Sequence, residues 1–192
     1  MNKIIISVFV LATMLLAQNF EYVGTVGCKM CHNKDATGAQ FSKWESSTHA
    51  NAFETLKSDQ AAKIVQEKGI DTHAWETPQC VKCHTTGFEN GGYEIKDESF
   101  WSFDPNDKAA KKSVKTMSGL QAVGCEACHG PGSKYKSKKT MVAIFNGEID
   151  GTTVGLINPG EDTCKKCHNE NSPTFKSFVF DEYWDKIAHP IP

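Results

Sequence analysis

"GCEACHGPGSKY", residues 124–135, sets two cysteines two residues apart, puts a histidine directly behind the second, and follows with a Gly-Pro-Gly turn. Moving outward, the same spacing recurs at Cys28/Cys31/His32, Cys80/Cys83/His84 and Cys164/Cys167/His168, so C-x-x-C-H occurs four times and uses all eight cysteines. The chain has only seven histidines in 192 residues, too few for four such coincidences by chance. A zinc cage needs no histidine beside its cysteine pair and usually joins two half-sites. A redox dithiol sits once, near a β-α-β pattern, and structural disulfides give no reason for a repeated histidine. Covalent haem accounts for every feature: two thiols add to two vinyl groups, and the next imidazole meets the iron. Cys28, Cys31, Cys80, Cys83, Cys125, Cys128, Cys164 and Cys167 are the expected attachment points of four haem c groups. His32, His84, His129 and His168 are the expected proximal ligands. Gly130, Pro131 and Gly132 suit a turn where backbone passes close to a porphyrin or leaves it sharply.

Four haems amount to one per about 44 residues of mature chain, too little protein to give each macrocycle its own core. The porphyrins themselves must form much of the core and lie close together, which suits multi-electron transfer along a short internal chain. His49, His73 and His189 remain as distal ligands. His49 lies in "KWESSTHANAFETL" with Phe53 and Leu56 at helical spacing on one apolar face. His189 lies in "FDEYWDKIAHPIP", a short amphipathic helix from Phe180 that Pro190 forces to exit immediately after the histidine. His73 falls in a loop after Gly69, the expected stop of a helix running from Ser58 to Lys68. Four bis-histidine haems need eight histidines and the chain has seven. At most three irons can be bis-histidine; the fourth is open or takes another group such as Met117, Met141 or Tyr135.

The chain begins Met-Asn-Lys and runs apolar from Ile4 to Ala17. That is the pattern of a secretory signal, shorter than the ~20 apolar residues of a span. We expect a signal peptide over residues 1–17 and one haem domain over 18–192, exported to the periplasm; membrane association would follow only from an uncleaved leader. All 21 basic residues are lysine, against 23 acidic residues, for a formal charge of −2. With no arginine and no basic excess, nucleic acid is not an expected partner. Lysines cluster at Lys108/Lys111/Lys112/Lys115 and at Lys134/Lys136/Lys138/Lys139, either as solvated faces or to meet propionates or an acidic partner. "TGFENGGYEI" reads as a hairpin around Asn90-Gly91-Gly92. "FDPNDKAAKKSV" reads as a helix capped by Asp104 with Pro105 at its first position.

"WESSTHANAF" after the first motif, "GCEACHGPGS" at the third, and the ending "CKKCHNENSPTFKSFVF…IAHPIP" resemble the tetrahaem cytochrome c-554 family over essentially the whole mature chain. The resemblance implies a mainly α fold with extensive loops and little β, its haems held in stacked and near-perpendicular pairs. It also implies three bis-histidine haems and one five-coordinate haem, in agreement with the histidine count. The open one corresponds to the haem of Cys80, Cys83 and His84. The haem of Cys125 and Cys128 competes for that role, because Tyr135 stands where many multihaem relatives carry a histidine after the Gly-Pro-Gly-Ser turn. The expected function is periplasmic electron transfer from an oxidoreductase donor to a cytochrome or quinone-linked acceptor. Two alternatives stand beside it: a redox enzyme for nitric oxide, hydroxylamine or nitrite at the open iron, and a subunit of an extracellular haem filament.

Overall fold

The computed structural model describes residues 19–191; the leader expected over residues 1–17 lies outside them. Ten short α-helices carry the fold: α1 (Thr25–His32), α2 (Gln40–Glu45), α3 (Asp59–Glu67), α4 (Pro78–His84), α5 (Glu98–Trp101), α6 (Lys108–Ser118), α7 (Cys125–His129), α8 (Lys138–Phe145), α9 (Glu161–Lys165) and α10 (Phe180–Ile187). Several single 3₁₀ turns punctuate the connections. Among the described residues there is no strand, so the helical, loop-rich fold expected from the sequence is the one observed.

Local chemistry explains where helices start and stop. α3 is capped by Ser58, whose Oγ accepts the Ala61 N–H at 3.2 Å. Gly69 then adopts φ +66°, and the Gly69 and Ile70 N–H groups donate to the carbonyls of Gln66 and Val65 at 3.0 and 2.9 Å. This paired closure satisfies carbonyls that would otherwise be left bare at the helix end. The expected boundary at Ser58–Lys68 is therefore correct.

α6 starts later than expected. Asp104 does not cap it: its Oδ1 accepts the Asn106 N–H at 2.8 Å and its carbonyl accepts the Asp107 N–H at 3.0 Å. Those bonds close a turn around Pro105, so Asp107 becomes the cap and accepts from Ala109 and Ala110 at 2.8 and 3.0 Å.

The expected hairpin at residues 86–95 is a tight turn with no ladder. Asn90 and Gly92 both donate to the Gly87 carbonyl at 2.9 Å, and Tyr93 donates to Thr86 at 2.9 Å. Pairing stops there because Thr86 is already committed to another segment. Its N–H donates to Leu120 at 3.0 Å, while its hydroxyl donates to Ala122 at 2.6 Å and accepts from Gly124 at 2.8 Å. Tyr93, only 3% exposed, turns into the core instead of extending a strand. Thr86→Val removes the hydroxyl that serves two buried backbone groups, and we expect a loss of about 1–3 kcal/mol, read as a lowered thermal midpoint of the haem-loaded protein.

The buried protein core gathers Phe53, Leu56, Val65, Ala74, Val81, Tyr93 and Leu120, with Tyr22, Trp75 and Met117 packed against it. It belongs to the first two-thirds of the chain. From Lys136 to Ile191 no residue is buried, so that third of the protein has no side-chain core of its own.

Candidate haem sites

Each C-x-x-C-H motif forms or follows a short helical turn. Residues i, i+3 and i+4 share a helix face, so both thiols and the histidine project together. The first motif ends α1, the second ends α4, and the third is α7 itself. At the fourth, α9 ends at Lys165 and the turn continues as Cys167 and His168 donate to the Cys164 carbonyl at 3.2 and 2.9 Å. Pro78 at the first position of α4 and Gly124 before α7 set the entries. Gly130 leaves α7 at φ +76°, and a Cβ there would collide with the Gly155 carbonyl, so this glycine is required both for its conformation and for the close approach.

The four motifs converge. None of the eight cysteines is in a disulfide. Cys28 and Cys125 lie close enough to shift each other's thiol pKa, up for Cys28 and down for Cys125, and Cys83 and Cys167 do the same, down for Cys83 and up for Cys167. Cys128 also lies near enough to Cys164 for the two to interact electrostatically. Numbering the motifs in chain order, the contacts run site 1 to 3, site 3 to 4, and site 4 to 2.

The histidines fall into facing pairs. His49 and His168 have ring centroids 6.0 Å apart, and His129 and His189 have theirs 5.7 Å apart. Two imidazoles trans on one metal ion, each nitrogen about 2 Å from it, place their centroids about 6 Å apart. Each pair therefore has the spacing that an iron between them would require. Nδ1–H of His32 donates to Gln40 Oε1 at 3.2 Å, that of His84 to the Ala52 carbonyl at 2.5 Å, and that of His129 to the Ile157 carbonyl at 3.3 Å. An acceptor on Nδ1 puts the proton there and leaves the Nε2 lone pair free for a metal. Burial pushes the pKa of His49, His129 and His168 down, and the facing imidazole pushes the first two further. All three are thus held in the neutral form that ligates.

His73 lies elsewhere. It is exposed and stacked on Trp75, with ring centroids 4.2 Å apart and planes 8° from parallel. His49 is also placed differently from its expected helix face. It sits in a 3₁₀ turn, Thr48–Asn51, followed by a second over Glu54–Lys57. Three residues per turn spread positions that an α-helix would align, so Phe53 and Leu56 enter the core while His49 turns to His168. Trp44 Nε1–H donates to the Val123 carbonyl at 2.9 Å, and Val123 N–H donates to the His49 carbonyl at 3.2 Å. Those bonds tie the His49 turn to the segment entering α7.

Of the non-histidine candidates, Tyr135 is committed: its hydroxyl donates to Gly130 at 2.6 Å, and burial pushes its pKa well up. Met117 packs on the core, and its Sδ lies 3.2 Å from the Glu94 nitrogen. Lys108, Lys111, Lys112 and Lys115 occupy one exposed face of α6, and Lys134, Lys136, Lys138 and Lys139 are exposed as well. Sequence reasoning missed Gln40, Trp44 and Glu126. Trp44 and Glu126 act through contacts distant in the chain and Gln40 through a histidine eight residues away, and nothing in their local pattern marks them.

The chain is similar to known proteins in sequence and in fold. A curated relative, "Cytochrome c-554" of Nitrosomonas europaea, is 31% identical over 170 residues, which cover 82% of this chain. The match spans only 63% of that relative's length. The solved structure of the reduced state of cytochrome c554 from Nitrosomonas europaea superposes with a TM-score of 0.57 at 26% identity, covering 86% of this chain and 82% of that one. The family model for "Cytochrome c554 and c-prime" matches residues 27–130. That match takes in more than half of the chain, and the protein belongs to the cytochrome c554 and c-prime family.

Proposed function

We propose that this protein is a periplasmic tetrahaem c-type cytochrome that carries electrons between an oxidoreductase donor and a cytochrome or quinone-linked acceptor. The observation that carries the reading is the pair of facing imidazoles, His49 with His168 and His129 with His189, set among thiols that converge from all four motifs. In this reading residues 1–17 are a cleaved leader and residues 18–192 the haem domain. The eight cysteines form the thioethers, and His32, His84, His129 and His168 are proximal ligands. His49 serves the iron of His168, and His189 serves the iron of His129. His73 is the third distal ligand, and reaching an iron takes its ring off the Trp75 face. When bound, haem supplies one-electron iron chemistry. The chain's own groups attach it, orient the imidazoles through Nδ1, and exclude water from the seam between sites.

Thiol contacts support an electron path in the order site 1, 3, 4, 2. The lysine face of α6 suits an acidic redox partner, whose association would weaken with added salt.

Seven histidines leave at least one iron without a second imidazole, which supports a second reading: a small nitrogen compound reacting at that iron. Haem quantification combined with low-temperature EPR, before and after nitric oxide, tests both readings. We expect four haems per chain and one high-spin signal that changes with nitric oxide. Four low-spin, unreactive irons would remove the open site and leave a carrier only. Fewer than four haems would sink the tetrahaem reading itself.

A further inference from the structure

Glu126 lies inside the third attachment motif, yet it is only 3% exposed. Three backbone N–H groups converge on its carboxylate. Val23 donates to both oxygens at 2.9 and 3.1 Å, Gly24 donates to Oε2 at 2.8 Å, and Gly132 donates to Oε1 at 2.6 Å. Among the described residues no lysine comes within ion-pair distance of it. Donors on both oxygens, with no hydrogen bond required from the carboxyl itself, are how a protein holds a fixed anion without a counter-ion. Its neighbours respond accordingly. Burial is the main influence raising the hydroxyl pKa values of Tyr22 and Tyr135, and Glu126 raises both further.

The position of this anion is specific. Val23 and Gly24 directly precede α1, which carries site 1, and Gly132 follows α7, which carries site 3. Cys125, adjacent to Glu126, lies close enough to Cys28 of site 1 for the two thiols to shift each other's pKa. One carboxylate therefore sits at the seam between two of the four sites.

We infer that Glu126 is a built-in anion that lowers the reduction potentials of the haems at sites 1 and 3, and so biases electron flow along the chain of sites. The inference rests on the tetrahaem reading above. Reduction adds one electron to an iron(III) centre and removes one positive charge. A buried negative charge nearby favours the oxidised state, and low local dielectric keeps that influence strong. No bond forms or breaks at Glu126, and the electron comes from the redox donor.

Potentiometric titration of the haem-loaded protein, alongside thermal melting, tests this in the wild type and two variants. Glu126→Gln keeps the size of the side chain and removes its charge. Two of the four one-electron waves should then move to higher potential by about tenfold in equilibrium constant, or 59 mV for one electron, while the other two move far less. Glu126→Asp keeps the charge but shortens the reach, so its melting midpoint should fall while all four waves stay in place. Unmoved waves in a destabilised Glu126→Gln protein would reduce Glu126 to a mechanical clamp and overturn the inference. Should Glu126→Gln not fold, Glu126→Asp decides alone: waves that shift upward together with the loss of stability overturn it, and unmoved waves uphold it. Absence of haem mass on the wild-type peptides carrying Cys28 or Cys125 would instead fail the tetrahaem reading, and peptide mass spectrometry separates that result.

Discussion

Replacing His49 with alanine should convert one low-spin haem per chain into a high-spin haem that binds carbon monoxide. His49 faces His168 at 6.0 Å between ring centroids, and no other imidazole lies in ring contact with His168 among the described residues. The bond that anchors its turn survives the substitution, because Val123 donates to the His49 main-chain carbonyl. The change therefore removes the imidazole proposed as a ligand and leaves the backbone tie in place. His189→Ala should do the same at the iron of His129, and the double variant should show two additional high-spin signals. Spin-quantified EPR and carbon monoxide difference spectra report the count. Unchanged spin states in both single variants would show that these imidazole pairs do not share an iron.

Phe53→Ala is the second large effect, and it is a packing effect. The ring is 2% exposed, lies 5.5 Å from Tyr93 between centroids, and belongs to the buried cluster. Removing it leaves a cavity among side chains that cannot collapse fully, a loss of about 3–5 kcal/mol. For a chain of this size the melting midpoint should fall by roughly 10 °C. The consequence reaches a haem site as well. Ala52, the preceding residue, accepts the Nδ1–H of His84 at 2.5 Å, so the orientation of that imidazole depends on the same turn. Melting followed at the haem absorbance and in the far ultraviolet should show both signals falling earlier than in the wild type. A midpoint within about 2 °C of wild type would mean that the haems rather than this cluster hold the fold.

Much of this protein was legible in advance. The α3 boundaries followed from Ser58 and Gly69, because caps and breakers act within a few residues; α10 ends at Ile187, two residues before the histidine behind which Pro190 was expected to end it. The Asp104 cap failed for a local reason and the Asn90-Gly91-Gly92 hairpin for a distant one. Asp104 had a closer backbone N–H to accept, and Thr86 was claimed by Leu120 and Gly124, partners more than thirty residues away. Local propensity cannot anticipate a competitor that only folding brings near.

The sequence by itself determined the chemistry: four C-x-x-C-H units, four expected proximal histidines, and a ceiling of three bis-histidine irons, since covalent attachment is a matter of spacing and ligand supply is a matter of counting. Only the tertiary structure decided the arrangement. It placed His49 opposite His168, His189 opposite His129, and His73 on Trp75, and it buried Glu126 between two attachment sites. Those pairings join residues as much as 119 positions apart. Which histidine meets which iron depends on how the chain closes its long loops around a shared core, and no periodicity within a single segment encodes that.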